Sequence, residues 1–369
     1  MTSLLVNLEE MVRSALRSKR KTACIVMMII ALLVLMIRSR SLGSSEHIGP
    51  YGDGDVLFNH DHVVGFNIKE SGKRTSVVME TRLDYLQREC TTHMDSPRDP
   101  SLDPPSELIV NEKYSIIYCN VPKVGCTNWK NVFLKIGGID DIRIKAIQRL
   151  PTNTRGRIYL DYFHKYSNVS HRQFMLQKFT KFMFARHPFT RVLSAFRDKL
   201  APNISYIFRI ENKQRHDVNW IERYGLPIIA KYRGAEAAAA IKANLKTKYD
   251  LTFSEFVNYL IETNPLSFDK HWNPISAMCR PCDVKYNIIG KYETLDDDAE
   301  YILRSAKVDP SVKYPQASDK SATNSSSLDI LRQYYSEITR EQLKKLYEVY
   351  KKDFELFDYS LETFYKYVS

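Results

Sequence analysis

The stretch "YCNVPKVGCTNWKNVFL", residues 118–134, decides the fold. Tyr114 to Val121 reads as a strand. Pro122-Lys123-Val124-Gly125-Cys126-Thr127 reads as a turn, and Thr127 to Leu134 as the start of a helix. A nucleotide-binding P-loop has G-x-x-x-x-G-K-[ST], with its lysine after the last glycine. Here Lys123 precedes Gly125. Amide N–H groups at such a turn and helix start converge on a small volume and favour an anion. Gly125 is expected to leave room for close approach, Thr127 to add a hydroxyl, Asn128 an amide, and Lys123 a full charge. No acidic partner for a metal stands nearby, so the turn suits an anion held without metal. Read alone, it is equally an ordinary strand–turn–helix with a capping threonine.

A second unit of the same kind follows in "KFMFARHPFTRVLSAFRDKL", residues 181–200. Lys181–Ala185 is a short strand, Arg186-His187-Pro188 a break, and Val192, Leu193 and Phe196 one face of a helix. Arg186 and Ser194, eight residues apart, offer a forked donor and a hydroxyl for a second phosphate. The alternative is an ion pair for Arg186 and small-residue packing for Ser194. "YNIIGKYETL", 286–295, is a further strand. Repeated strand–turn–helix units predict an α/β fold: a P-loop-like parallel sheet flanked by helices, with ligands at the carboxyl ends of the strands. Capping boxes at Thr252-x-x-Glu255 and Thr339-x-x-Gln342 open two further amphipathic helices. The first carries Phe253, Phe256, Val257 and Leu260 on one face. The second carries Leu343, Leu346, Tyr347, Tyr350, Phe354 and Phe357.

The chain has 369 residues, 44% hydrophobic, and a formal net charge of +11, of which +5 lies in residues 1–40. The basic body suits anionic partners or simply a solvated surface. Thr22–Ile37 is an uncharged run of 16 residues with the heavier positive flank before it. It reads as a short signal anchor with a cytoplasmic N-terminus, against the rival of a cleaved signal peptide. The expected order is a cytoplasmic tail (1–21), an anchor (22–37), a lumenal stem (38–106) and a catalytic domain (107–369). Within the stem, "VVMETRLDYLQREC" has helical character. Sequons at Asn168, Asn203 and Asn324 agree with a lumenal body. Beyond Cys24 there are five cysteines, so at least one is left over from intramolecular pairing. "CRPC", 279–282, reads as disulfide-bonded cysteines in preference to half a zinc site.

"PKVGCTNWK" and "FARHPFTRVLSAFRDKL" together resemble the membrane-bound carbohydrate sulfotransferases. The similar branch holds the chondroitin, dermatan and N-acetylgalactosamine 4-O-sulfotransferases and the glucuronyl 3-O-sulfotransferase. The resemblance continues through residues 271–303 and 346–360 and so covers about 107–360. It implies the donor 3′-phosphoadenylyl sulfate and no metal. It assigns Pro122, Lys123, Val124, Gly125, Cys126, Thr127 and Asn128 to the 5′-phosphosulfate loop. It assigns Arg186, His187, Pro188, Phe189, Thr190, Arg191, Val192, Leu193 and Ser194 to the 3′-phosphate segment, with Arg186 and Ser194 as direct ligands. It further implies a type II protein of the Golgi membrane.

Transfer to a sugar hydroxyl needs a cation at the departing oxygen and a base at the hydroxyl. Lys123 is the expected cation. His271 in "FDKHWNP" is the expected base, with Glu293 in "GKYETL" as runner-up. The implied acceptor is a glycosaminoglycan or another glycan bearing N-acetylgalactosamine, most directly its 4-position in chondroitin or dermatan. The segments 231–248 and 314–327 are basic or polar enough to touch an anionic polymer or to be plain solvated surface. A P-loop kinase is disfavoured by the missing Walker lysine, and a nucleic-acid binder by the anchor and sequons. A glycan-binding protein without catalysis is the rival from another class.

Overall fold

The strand expected at 114–121 forms as β2 (Ile116–Cys119), every residue of it buried. A tight turn with Ser115 at φ 49° joins it to β1 (Leu108–Asn111), which pairs antiparallel with Leu108 opposite Cys119. The Asn111 side chain accepts the Tyr114 N–H and closes this turn. β3 (Asp161–Tyr162) adds antiparallel to β1. β4 (Thr180–Ala185) and β5 (Ile288–Lys291) complete the sheet, in the order β3-β1-β2-β4-β5. β2, β4 and β5 are parallel, with Tyr118 opposite Phe182 and Phe184 opposite Gly290. The sheet is therefore mixed, a correction to the parallel sheet expected. A four-residue link allows only an antiparallel neighbour, whereas parallel strands need long crossovers. The computed structural model describes residues 68–93, 97–148, 150, 158–202, 220–315 and 324–368. The run Thr22–Ile37 and the sequon at Asn203 lie outside the described residues. Among the described residues no helix is long and apolar enough to cross a membrane.

Helix α1 (Ile68–His93) packs on β5 and on three later helices. Its buried Met79, Leu86 and Cys90 lie on one face by their spacing of seven and four. Arg82 on that helix reaches Asp298 at 2.6 Å, and Cys90 is disulfide-bonded to Cys282. The helical character read at 77–90 is thus part of a longer helix on the sheet. Helix α2 (Cys126–Ile136) follows the first turn and α3 (Pro188–Lys199) the second. Pro188 is the first residue of α3, where its missing N–H costs nothing. Helices α4 (Phe253–Glu262) and α6 (Arg340–Leu356) begin at the two capping boxes, both fully formed. Between them α5 (Leu295–Ser305) follows β5 through a short 3₁₀ turn.

Two apolar clusters result. One lies around the sheet, where Trp129 meets Phe182 at 4.7 Å, Phe184 at 5.5 Å and Tyr314 at 5.1 Å. The other joins α3, α4 and α6, and holds Phe189, Phe196, Phe256, Trp272, Tyr335 and Phe354. Each such side chain contributes roughly 1.5–3 kcal/mol of burial. The CRPC cysteines pair apart, Cys279 with Cys119 and Cys282 with Cys90. The first of these bonds ties the end of β2 to the segment after His271.

Candidate active site

The carboxyl ends of β2, β4 and β5 run into Lys123, Arg186 and Glu293 respectively. In the first turn Lys123 has φ 73° and Gly125 φ 86°. The left-handed region costs a non-glycine residue about 1–2 kcal/mol, so something must hold Lys123 there. Arg186 of the second turn and Arg191 of α3 do so. Arg186 donates through Nη1 to the Lys123 carbonyl at 2.8 Å, and Arg191 through Nε to the Pro122 carbonyl at 3.1 Å. With those carbonyls turned aside, the N–H groups of Val124, Gly125, Cys126 and Thr127 donate to no acceptor among the described residues. They stand at the start of α2, whose dipole adds to their pull on an anion.

Gly125 also serves this turn on its other side. A Cβ there would stand 2.5 Å from the Tyr314 hydroxyl, which itself donates to the Gly125 carbonyl. The glycine makes room for Tyr314 and supplies the left-handed φ. Thr127 is not a cap, because the N-cap residue is Gly125 and no side chain caps the helix. Asn128 reaches the Pro315 carbonyl at 3.4 Å. Val124 is fully buried, and Cys126 is a half-buried free thiol.

In the second turn Arg186 is 2% exposed. It donates to Thr190 Oγ1, the Lys123 carbonyl and Ser326 Oγ, and its guanidinium lies 4.0 Å from the Tyr292 ring centre. No described carboxylate pairs with it, so the ion-pair alternative is not what forms. A buried guanidinium without a carboxylate is a charge left for an external anion. The residues after it divide. Ser194 is buried on α3, while Phe189, Val192 and Leu193 fill the second apolar cluster. Arg191, 1% exposed, spends its donors on the carbonyls of Pro122, Lys270 and Asn273. It joins the Lys123 turn to the segment that carries His271.

His187 is held as a neutral ring. Its Nδ1 accepts the Phe189 N–H and its Nε2 lies 3.1 Å from the Ser360 carbonyl. The ring packs against Phe354, Tyr359 and Phe364, and burial pulls it down to about 4. Both oxygens of Glu293 are taken, one by the His187 N–H and one by the Tyr359 hydroxyl, each at 2.9 Å. Glu293 thereby braces the Arg186 turn.

His271 is placed otherwise. Asp269 accepts from its backbone N–H and sits 2.6 Å from its Nδ1. Its Nε2 has no partner among the described residues. Burial pulls the imidazole down to about 4, Asp269 opposes that, and the charges of Lys199 and Lys123 add to it. The segment is tied down by Arg191, by the Tyr350 hydroxyl on the Trp272 carbonyl, and by Asp353 on the N–H groups of Ile275 and Ser276. Asp198 lies 3.1 Å from the ammonium groups of both Lys123 and Lys199. Lys199 lies over the Trp220 ring at 5.3 Å, and that ring meets His271 edge-on at 4.9 Å.

Sequence reasoning missed Asp198, Lys199 and Asp269. Helical spacing was the available signal for the first, since 191, 194 and 198 share a face of α3. Segment 314–327 touches the turns at both its described ends, through Tyr314 and Ser326. Ser326 is also the third residue of the Asn324 sequon. Asn324 is exposed, and so is Asn168, which caps its helix by accepting the His171 N–H. Among the described residues no three His, Cys, Asp or Glu side chains gather as a metal site.

The pattern described as "Sulfotransferase family" matches residues 106–360. Carbohydrate sulfotransferase 11 of Rattus norvegicus is 31% identical over 301 residues, covering 79% of this chain and 79% of its own. Carbohydrate sulfotransferase 8 of Homo sapiens is 30% identical over 289 residues, 76% of this chain and 62% of its own. Carbohydrate sulfotransferase 14 of Danio rerio is 34% identical over 260 residues, 69% of this chain and 62% of its own. No solved structure matches.

Proposed function

The chain belongs to the sulfotransferase family, among the carbohydrate sulfotransferases, and on that premise we propose how it works and on what. It transfers a sulfuryl group from 3′-phosphoadenylyl sulfate to the 4-hydroxyl of N-acetylgalactosamine in chondroitin or dermatan. The observation that carries the donor reading is Arg186, buried without a carboxylate and fastened to the Lys123 turn. It suits the 3′-phosphate, with Ser194, buried on α3, as the second proposed ligand. The free N–H groups of Val124 to Thr127 suit the 5′-phosphosulfate. Two anion sites on one pair of turns fit a ligand with two separated phosphates.

The acceptor hydroxyl oxygen attacks sulfur in line, and the bond from sulfur to the 5′-phosphate oxygen breaks. His271 Nε2 takes the hydroxyl proton while Asp269 steadies the imidazolium through Nδ1. Negative charge grows on the departing phosphate oxygen, and Lys123 offsets it. Adenosine 3′,5′-bisphosphate leaves, and the product is a sulfate ester. The acceptor assignment rests on the sequence resemblance in both turns and in residues 271–303.

The catalytic body is proposed to face the Golgi lumen as a type II membrane protein anchored by Thr22–Ile37. Two disulfides and exposed sequon asparagines at 168 and 324 support that placement. The test of function is transfer of radiolabelled sulfate to a panel of desulfated chondroitin, dermatan, N-acetylgalactosamine-terminated and glucuronyl-terminated oligosaccharides. Product analysis should place sulfate at the 4-position of chondroitin or dermatan N-acetylgalactosamine. Label on another sugar or position rejects that acceptor. Donor binding with no transfer to any acceptor rejects the enzymatic reading in favour of glycan binding.

A further inference from the structure

Asp198 was not among the residues expected in the site, yet it contacts the Lys123 ammonium directly. It is the last acidic residue of α3, and its Oδ2 lies 3.1 Å from Lys123 Nζ and 3.1 Å from Lys199 Nζ. The two ammonium groups come from different parts of the chain, one from the turn after β2 and one from the end of α3. One carboxylate thus serves two cations. We propose that Asp198 is the positioning residue of the leaving-group lysine: it fixes the Lys123 ammonium in place and keeps it charged, with Lys199 as the counter-ion that remains when Lys123 turns to the donor. The mechanistic use of this clamp rests on the reading of Lys123 given above.

The physical need is clear from the surroundings. Lys123 is only 15% exposed, so burial favours the neutral amine, which cannot stabilise a departing anion. The other charged or titratable groups facing it make that worse or do nothing to help: Lys199 on α3, Arg186 after β4, and His271 on the segment tied by Arg191. Asp198 is the carboxylate that opposes them. Burial works to raise Asp198 itself, yet the two lysines hold it at about 2, so it is an anion throughout the physiological range. Lys199 has a second effect. Without it, engagement of Lys123 by the donor would leave Asp198 facing an anion alone. With it, the carboxylate stays compensated and repels the donor less.

The test reads Lys123 directly. The pH dependence of Lys123 acylation by a small anhydride, followed by mass spectrometry, reports the charge on that amine without any acceptor. In Asp198→Asn the midpoint should move to lower pH than in the wild type. In Lys199→Met, where Asp198 answers to Lys123 alone, it should move to higher pH. Sulfate transfer by Asp198→Asn should fall in kcat by about ten- to a hundredfold, with donor KM changed less, as expected for a misplaced catalytic group. The alkaline limb of its rate should move in the same direction as the acylation midpoint. Unshifted Lys123 midpoints in both folded variants overturn the proposal. Shifted midpoints in a protein that transfers no sulfate would leave the clamp standing and sink only the transferase reading.

Discussion

Arg186 Nη1 donates to the carbonyl of Lys123 at 2.8 Å, so the residue that follows β4 holds the residue that follows β2 in its left-handed conformation. The proposed 3′-phosphate ligand and the proposed leaving-group lysine are thus mechanically one unit. Arg186→Lys keeps the charge but loses the fork that reaches Lys123, Thr190 and Ser326 together. Calorimetry with adenosine 3′,5′-bisphosphate should show affinity lower by roughly tenfold or more, the worth of one charge-assisted hydrogen bond. Transfer should fall beyond that loss, because the turn is freed as well. Wild-type affinity in this variant would remove Arg186 from the anion site.

Lys123→Ala addresses the other half of the unit. The backbone N–H groups of Val124 to Thr127 do not depend on the lysine side chain, so donor binding should survive. The charge on the departing oxygen is met only in the transition state. Steady-state kinetics should therefore show kcat down by about 10²–10³-fold with a much smaller change in donor KM. A turnover within a few-fold of wild type contradicts the assigned role.

Both turns were legible in the sequence because strand, turn and helix are local patterns. Their joining was not. Arg186 and Arg191 work through carbonyls of Pro122, Lys123, Lys270 and Asn273, and a backbone carbonyl has no signature in side-chain letters. Arg191 therefore reads as a phosphate residue in sequence and acts as a strut in the fold. The contact of Gly125 with Tyr314 was not legible, because the two are 189 residues apart. β3 escaped notice for another reason, being only two residues long. His271 was found by residue type, and its partner Asp269 stands two positions before it. Glu293, the rival base, was separated from it only by the structure, which commits both its oxygens to His187 and Tyr359.

The base assignment predicts a pH profile. His271 must be neutral to accept a proton, and its depressed value of about 4 keeps it so in the free enzyme across the physiological range. The acid limb of kcat/KM, which reports the free enzyme, should accordingly lie near that value and not near 6.5. With donor bound, its negative charge offsets Lys123 and Lys199, so the limb of kcat should lie at higher pH than that of kcat/KM. His271→Ala should lose the limb and about 10²–10⁴-fold in rate. A variant that keeps near-normal kcat and an unchanged limb would eliminate His271.

His187 titrates in the same direction with a different consequence. Its folded value is about 4 against an ordinary 6.5, so the folded state prefers the neutral ring. The associated stability is fully present above about 6.5, is lost progressively as pH falls through that window, and is gone below about 4. Thermal melts from pH 7 to pH 4 should show a falling midpoint that is shallower in His187→Gln, which does not titrate. The slope isolates His187 only if His271→Gln is melted alongside, since both rings are depressed alike. If the His187→Gln curve has the wild-type slope, the buried ring is not what couples stability to acid.

The disulfide between Cys119 and Cys279 links the end of β2, three residues before Pro122, to the residue that ends the short helix after His271. Arg191 ties the same two segments through the carbonyls of Pro122, Lys270 and Asn273, so the Lys123 turn and the His271 segment are fastened twice. Its chain separation is 160 residues, and that of Cys90 with Cys282 is 192, long loops for which the loss of unfolded-state freedom is large. The pair Cys119→Ala with Cys279→Ala should cost about 2–5 kcal/mol in denaturant unfolding. The pair Cys90→Ala with Cys282→Ala should cost a similar amount, since it anchors α1. Their effects on turnover should differ. Only the first pair loosens the spacing between Lys123 and His271, so only it should lower kcat in material that is still fully folded. Equal kcat in both folded double variants would show that Arg191 alone sets that spacing.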